Sequence, residues 1–390
     1  MTVSALQAIN TAWKKYRLGE ILTLINGRAY CKSEERTEGT PVLRIQNLNG
    51  GDRWFYSDLN LPANKYCDNG DLLFAWSATF GPYIWWGGKV IYHYHIWKIE
   101  CGPLLDKKFA FYLLQHITQR VKSAGRGISM LHMTKSGMED WEVEIPPLQE
   151  QRRIAGILDQ ADALRHLRRR SLSRLADLGQ AIFFEMFGDV AENPKGWPVG
   201  TIRDLLSEAK YGTAQKANTD GKGLPILRMG NLTYSGQLDL TDLKHVELSA
   251  KDFPKYTTQR GDLLFNRTNS KDLVGKTAVV DLDDPLAIAG YLIRARINKR
   301  GNPYYISAYL NSRHGKAVLR NMCKNIVGMA NINAQELQDI AIALPPVELQ
   351  NEFADRLAVI TKRREDFNSG IEQADFLFAA LQHRAFRGEL

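Results

Sequence analysis

The chain has 390 residues, enough for two or three domains with hydrophobic cores of their own. It is 44% hydrophobic and 24% charged, no apolar run reaches membrane-spanning length, and Met1–Ala12 lacks the apolar stretch of a secretion signal. Cys31, Cys67, Cys101 and Cys323 are scattered without metal-type spacing, so a membrane protein and a disulfide-built secreted protein are both excluded, and free thiols in the cytoplasm are expected. The net charge of +8 favours a polyanionic partner.

Residues 13–145 form the first globular block. Short strand-like runs, Pro41–Ile45 and Gly70–Phe74, alternate with Gly and Asn turns. Phe109, Leu113, Ile117 and Val121 recur every four residues and predict a helix over Lys107–Ala124. Residues 146–189 then open Pro-Pro-Leu-Gln-Glu-Gln and continue without proline to Phe187. Proline is tolerated in the first helical turn but not inside, so this reads as a long helix of about 60 Å at about 1.5 Å per residue. Spaced alternately by four and three, Ile154, Leu158, Ala161, Arg165, Arg168, Leu172, Leu175, Gly179, Ile182 and Met186 make a heptad-type stripe, the mark of a helix lying along another. The breaker cluster Asn193–Pro198 is a linker.

Residues 197–344 form a second block, and residues 345–390 a second long helix. Pro345 lies 199 residues after Pro146, and the proline-free run ends at Phe386, 199 after Phe187. The same register gives Phe353, Leu357, Ile360, Arg364, Phe367, Ile371, Ala374, Phe378, Leu381 and Ala385. The blocks repeat as well: Pro41–Leu48 matches Pro225–Leu232, and Gly70–Phe74 matches Gly261–Phe265. Between these anchors the halves diverge. The expected architecture is α+β: two similar α/β blocks separated by two long, antiparallel, coiled-coil-like helices in a pseudo-two-fold arrangement.

No phosphate-binding or dinucleotide-binding glycine loop is present. Asn302-Pro303-Tyr304-Tyr305 lacks the second proline of an adenine methyltransferase motif and reads as a turn before a helix at Tyr305–Met322. Asp239, Asp242 and Lys244 have the residue types of a metal-dependent nuclease, a combination common by chance. His93 and His95 alternate with Tyr92, Tyr94 and Trp97 as on a half-solvated strand, without a third metal ligand. No catalytic or metal-binding residue is therefore expected. Binding features are richer. Arg28, Tyr30 and Lys32 follow Gly27; Lys210, Tyr211, Thr213 and Lys216 surround Gly212 at the matching place; Arg267, Asn269 and Lys271 follow Phe265. Such loops suit phosphates and base edges, the alternative being ordinary solvated loops. Trp76, Phe80, Tyr83, Trp85 and Trp86 suit base stacking or a sheet core. Arg44 and Arg228 hold equivalent positions, which argues for scaffold duty. The run Arg165–Arg174 reads equally as a solvated waist, a phosphate contact or a protein-binding surface.

The two-fold block-and-helix repeat, with Pro146–Asp159, Leu344–Gln350 and the helix ends Gln180–Asp189 and Arg384–Leu390, resembles the specificity (S) subunit of type I restriction-modification enzymes. The second helix departs from the first in having Val347 and Leu349 where Leu148 and Glu150 stand. The resemblance implies that residues 13–145 and 197–344 are target-recognition domains, each reading one half of a bipartite, asymmetric double-stranded DNA site. It implies spacer helices that dock two methyltransferase (M) subunits, and restriction/translocase (R) subunits as further partners. S-adenosylmethionine, ATP and Mg would belong to those partners, with no cofactor or catalysis in this chain. A stand-alone DNA-modifying enzyme with a diverged site and a protein-assembly scaffold are the other classes the residues allow.

Overall fold

The computed structural model describes residues 13–77, 79–124, 134–271, 273–326 and 329–390; Met1–Ala12, where no secretion signal is expected, lies outside them. Two compact units emerge. One runs through Arg168 and takes in Gly370–Leu390; the other is Arg169–Ser369. The long helices, Leu148–Phe187 and Val347–Ala385, are each divided between the units. No helix among the described residues is long and apolar enough to cross a membrane.

In the first unit the strands Leu22–Asn26, Ile96–Cys101, Leu72–Ala75 and Gly81–Ile84 lie side by side in that order, all antiparallel. A second sheet orders Phe55–Ser57, Thr40–Leu43, Val90–Tyr92 and Tyr66–Cys67, its middle pair parallel. The helix Lys107–Ala124 stands where the four-residue recurrence puts it and sinks Phe109, Leu113 and Ile117 into the core. The second unit repeats the order with Leu206–Tyr211, Leu292–Ile297, Leu263–Asn266 and Thr277–Val279. Its smaller sheet is Lys244–Val246, Leu224–Leu227 and Ala287–Ile288, and Thr257 bridges Ala287 where Tyr66 pairs with Ile91.

The repeated sequence motifs are the load points of this scaffold. In Gly-Asp-Leu-Leu-Phe the glycines Gly70 and Gly261 take φ of 82° and 88°, a region that a side chain resists. Asp71 and Asp262 then accept the N–H of Asp68 and Gln259, each at 2.9 Å. Strand alternation sends Leu72 and Phe74 into one core and Leu73 into another, with Leu263, Phe265 and Leu264 doing the same. A cation completes each copy: the half-buried Lys98 binds Asp71 at 2.8 Å and the Tyr66 carbonyl, while the fully buried Arg294 faces Asp262 and donates to the equivalent Thr257 carbonyl. Burial pushes the Asp262 carboxyl up from its usual value, against the pull of Arg296 and Arg294.

Arg44 and Arg228 likewise do scaffold work. Their backbone N–H groups donate to Asn47 and Asn231 at 3.0 and 2.8 Å, and those buried amides tie down the following turns. Each long helix is entered through a fully buried glutamine. Gln151 donates to the carbonyls of Pro146 and Leu104 and accepts the Asp106 N–H; Gln350 donates to those of Pro345 and Arg300 and accepts the Asn302 N–H.

None of the twenty stripe positions is exposed. Within each unit the two helix segments run antiparallel. In the first, Arg165 meets Asp375 and Arg153 reaches the carbonyl of Leu390; in the second, Phe183 and Phe187 pack on Phe353. Arg165 interrupts the apolar stripe because it is paired there: Asp162 at 2.8 Å, Asp375 at 2.6 Å and the ring of Phe378 enclose it. Arg169, Arg170 and Arg174 are exposed.

Two expectations are corrected. His93–His95 are not on a strand: Val90–Tyr92 ends before them and Ile96–Cys101 begins after them, so they form the turn between. The helix expected over Tyr305–Met322 is two, Pro303–Asn311 and Arg313–Met322, because Ser312 leaves helical geometry and its hydroxyl caps the second through the Gly315 N–H at 3.0 Å.

Candidate nucleic-acid interface

At the end of the first strand of each larger sheet, the chain passes tightly beneath the turn before that sheet's second strand. Arg28 donates its N–H to Tyr92, and Thr213 donates to Ile288, at 3.0 and 2.8 Å. The return bonds come from Tyr94 to Arg28 and from Gly290 to Thr213. A Cβ on Gly27 or Gly212 would collide with the carbonyls of residues 92 and 93, or 288 and 289. Arg28 and Thr213 are therefore equivalent, as are the turns His93–His95 and Ala289–Tyr291. Beside each turn ends a central strand: Trp76 donates its N–H to His95, and Arg267 donates to Tyr291. Trp76 and Arg267 are equivalent too.

The first unit presents an aromatic surface here. Ring centroids lie 4.5 Å apart for His93 and Tyr94, 3.9 Å for Tyr94 and His95, and 5.2 Å for Trp76 and His95. Trp76 also stacks on Trp97. Burial, with His95 and Arg44 adding to it, lowers His93 to about 4, so this ring is neutral at pH 7. Tyr30 approaches His93 at 6.4 Å, and burial pushes its hydroxyl up to about 12. Arg28 stacks over Tyr30 and is held by both oxygens of Glu34, at 3.0 and 2.6 Å. That bidentate pair, reinforced by the Cys31 N–H, depresses Glu34 from 4.5 to about 2. Its stabilisation is complete above the ordinary carboxylate range and is lost as pH falls toward that lowered value. Lys32 is exposed on the adjoining turn.

The second unit presents cations instead. Arg267 lies 4.8 Å over the exposed ring of Tyr211, whose hydroxyl accepts the Ala334 N–H. Lys210 is exposed and paired with Glu208; Lys216 and Lys271 are exposed. Asn269 is half-buried on the strand Thr268–Asn269, its side-chain Oδ1 accepting the Ser270 N–H. Thr213 departs from expectation: it is buried, and its hydroxyl accepts the Gln215 N–H, so it shapes the loop rather than facing outward.

Of the expected residues, the fold thus gathers Arg28 with Tyr30 and Tyr211 with Arg267. Trp76 joins them, and Phe80 does not, being buried against Phe74. Sequence reasoning missed Tyr94 and Tyr291, 40% and 50% exposed at equivalent turns, because only strand pairing reveals that equivalence. Asp242, one of the nuclease-like carboxylates, is bound to Arg228, and Asp239 accepts from Thr241.

The model for the type I restriction modification DNA specificity domain matches residues 10–175 and again residues 194–374. The chain belongs to this family. Among curated relatives, the EcoKI type I specificity subunit of Escherichia coli K12 is 25% identical over 97% of this chain and 89% of its own. A chain solved in work on complex assembly and conformational transition of the type I R-M system superposes with a TM-score of 0.59, at 20% identity, covering 97% of this chain and 98% of that one. The S subunit from M. genitalium gives 0.54 at 15% identity, covering 96% of each. These two neighbours share the fold. The family's twofold match agrees with the internal repeat, and the equivalent surfaces around Trp76 and Arg267 are places where the two copies differ chemically.

Proposed function

We infer that this chain is the sequence-reading subunit of a type I restriction-modification assembly, each unit reading one half of a split, asymmetric DNA site. The carrying observation is the equivalence of His93–His95 and Trp76 with Ala289–Tyr291 and Arg267. One scaffold presents a cluster of aromatic rings in one copy and an arginine on a tyrosine in the other, which suits two different half-sites. The long helices serve as spacer and as platform for two methyltransferase subunits, with restriction/translocase subunits as further partners. S-adenosylmethionine, ATP and Mg act in those partners; this chain positions DNA and performs no bond-breaking step, inside the cell.

Exchanging residues 197–344 for the corresponding block of another member tests this. Methylation mapping of cells carrying the complete system should find one half of the motif changed and the other kept. A change in both halves would contradict the modular reading.

A second expectation concerns the pair beside Tyr30. Glu34→Gln unties Arg28 and leaves a cation facing the DNA surface. In the assembled complex, log affinity against log salt should steepen by about 0.9, the value of one added phosphate contact. An unchanged slope would mean that Arg28 stays clear of the backbone.

A further inference from the structure

The helix pairs of the two units share one register, yet one is filled and the other hollow. In the first unit the Tyr112 ring lies 6.1 Å from that of Phe378, and the Tyr112 hydroxyl donates to Asp159 at 2.8 Å. Arg165 lies 4.3 Å over the Phe378 ring, held by Asp162 and Asp375. The buried glutamines fix the correspondence: Gln151 and Gln350 make the same three bonds, which equates Leu104 with Arg300 and Asp106 with Asn302. Tyr112 then corresponds to Ala308, Asp159 to Ala358 and Phe378 to Gly179. Three large or charged side chains become Ala, Ala and Gly.

The arginine survives. Arg364 takes the place of Arg165, whereas the sequence has Thr361 and Ala176 at the places of Asp162 and Asp375. What remains in the second unit is a cleft of about 870 Å³, lined by Gly179, Ala308, Ala358, Leu175, Leu357 and Arg364 among others. Its size is that of a small-ligand site. The Arg364 Nε is buried and has no hydrogen-bond partner among the described residues.

We propose that this cleft binds a small organic anion carrying an aromatic ring and a carboxylate. The ring occupies the space that Tyr112 and Phe378 fill in the first unit, and the carboxylate takes the role of Asp375 on Arg364. Arg364 lines the cleft with no ion pair among the described residues, so a carboxylate gives its guanidinium a charge-assisted partner that a neutral ring does not. Asp177, Asp281 and Glu365 also line the cleft, but all three are exposed, and Asp281 is already bound to Arg260.

Calorimetric titration of the full chain with 3-phenylpropionate, and with 3-phenylpropanamide as its neutral analogue, tests the proposal. The acid should bind saturably and the amide about tenfold more weakly. Arg364→Gln should erase that preference. Ala308→Tyr, which installs the first unit's residue, should abolish binding of both; pairing it with Ala358→Asp also restores the tyrosine's carboxylate partner. Thermal melts check that each variant is folded, and should the tyrosine variants not fold, Arg364→Gln decides alone. No saturable binding by the wild-type chain, an acid preference that survives Arg364→Gln, or unchanged binding by a folded Ala308→Tyr chain would each overturn it.

Discussion

Gly212→Ala should disable the second unit while leaving the first intact. The added methyl would meet two backbone carbonyls, those of Ile288 and Ala289, and not the yielding end of a side chain. Those carbonyls are committed: Ile288 accepts the Thr213 N–H and belongs to the strand paired with Leu224–Leu227. Relief therefore requires moving the loop away from the turn Ala289–Tyr291, at a cost of about 3 kcal/mol or more, the upper end for overpacking a fixed interior. Hydrogen exchange resolved by segment should show lost protection around residues 206–213 and 287–297, with the first unit unchanged. In the complete system the motif half read by the second unit should lose its definition. Unchanged protection at Thr213 would rule out this tight crossing. Gly27→Ala is the matching experiment in the first unit, since its Cβ would meet the carbonyls of Tyr92 and His93.

Gln350→Ala is expected to lower stability by about 3 kcal/mol, because three backbone groups lose their partner together, each bond worth about 1 kcal/mol. The groups are the carbonyls of Arg300 and Pro345, at 3.2 and 2.9 Å, and the Asn302 N–H, at 2.9 Å. They join the start of the second long helix to the loop before Pro303–Asn311. Glutamate keeps the acceptor for Asn302 but cannot donate to the carbonyls, so Gln350→Glu should also destabilise. Denaturant melts measure both, and a loss below 1 kcal/mol would mean that water replaces the amide. Gln151→Ala should behave alike, as the same bonds recur in the first unit.

Features that depend on local chemistry were legible in the sequence. Proline starts and a four-and-three stripe located both long helices, since helix entry and one-sided burial leave marks a few residues apart. Gly70 and Gly261, Asn47 and Asn231, and the paired glutamines repeat because each does the same local job twice. Features that depend on strand exchange were not legible. His93–His95 alternate as a strand would, but the Tyr94 N–H is taken by the Arg28 carbonyl, and the chain turns. Thr213 sits in a basic, aromatic stretch, but its place under the second turn buries it. The hollow beside Ala308 escaped because its blocks and helices repeat at different offsets, so Tyr112 and Ala308 do not align by a single shift. Arg165 looked like a break in the stripe, and its explanation, Asp375, lies more than 200 residues away.

The division of the long helices also has a consequence for how the chain is made. Gly370–Leu390 belongs to the same compact unit as the residues before Arg168. Phe378 and Ala385 are buried in the core that also holds Leu18, Phe109 and Leu158. The first unit is thus assembled from two stretches of chain, with the whole of Arg169–Ser369 lying between them in sequence. Its nascent form keeps an apolar seam open until Gly370–Leu390 has been made, while Arg169–Ser369 is contiguous and can close earlier. Loss of residues 378–385 would therefore injure the unit that holds Leu18 and Phe109 and spare the contiguous one, so damage falls far upstream of the lesion.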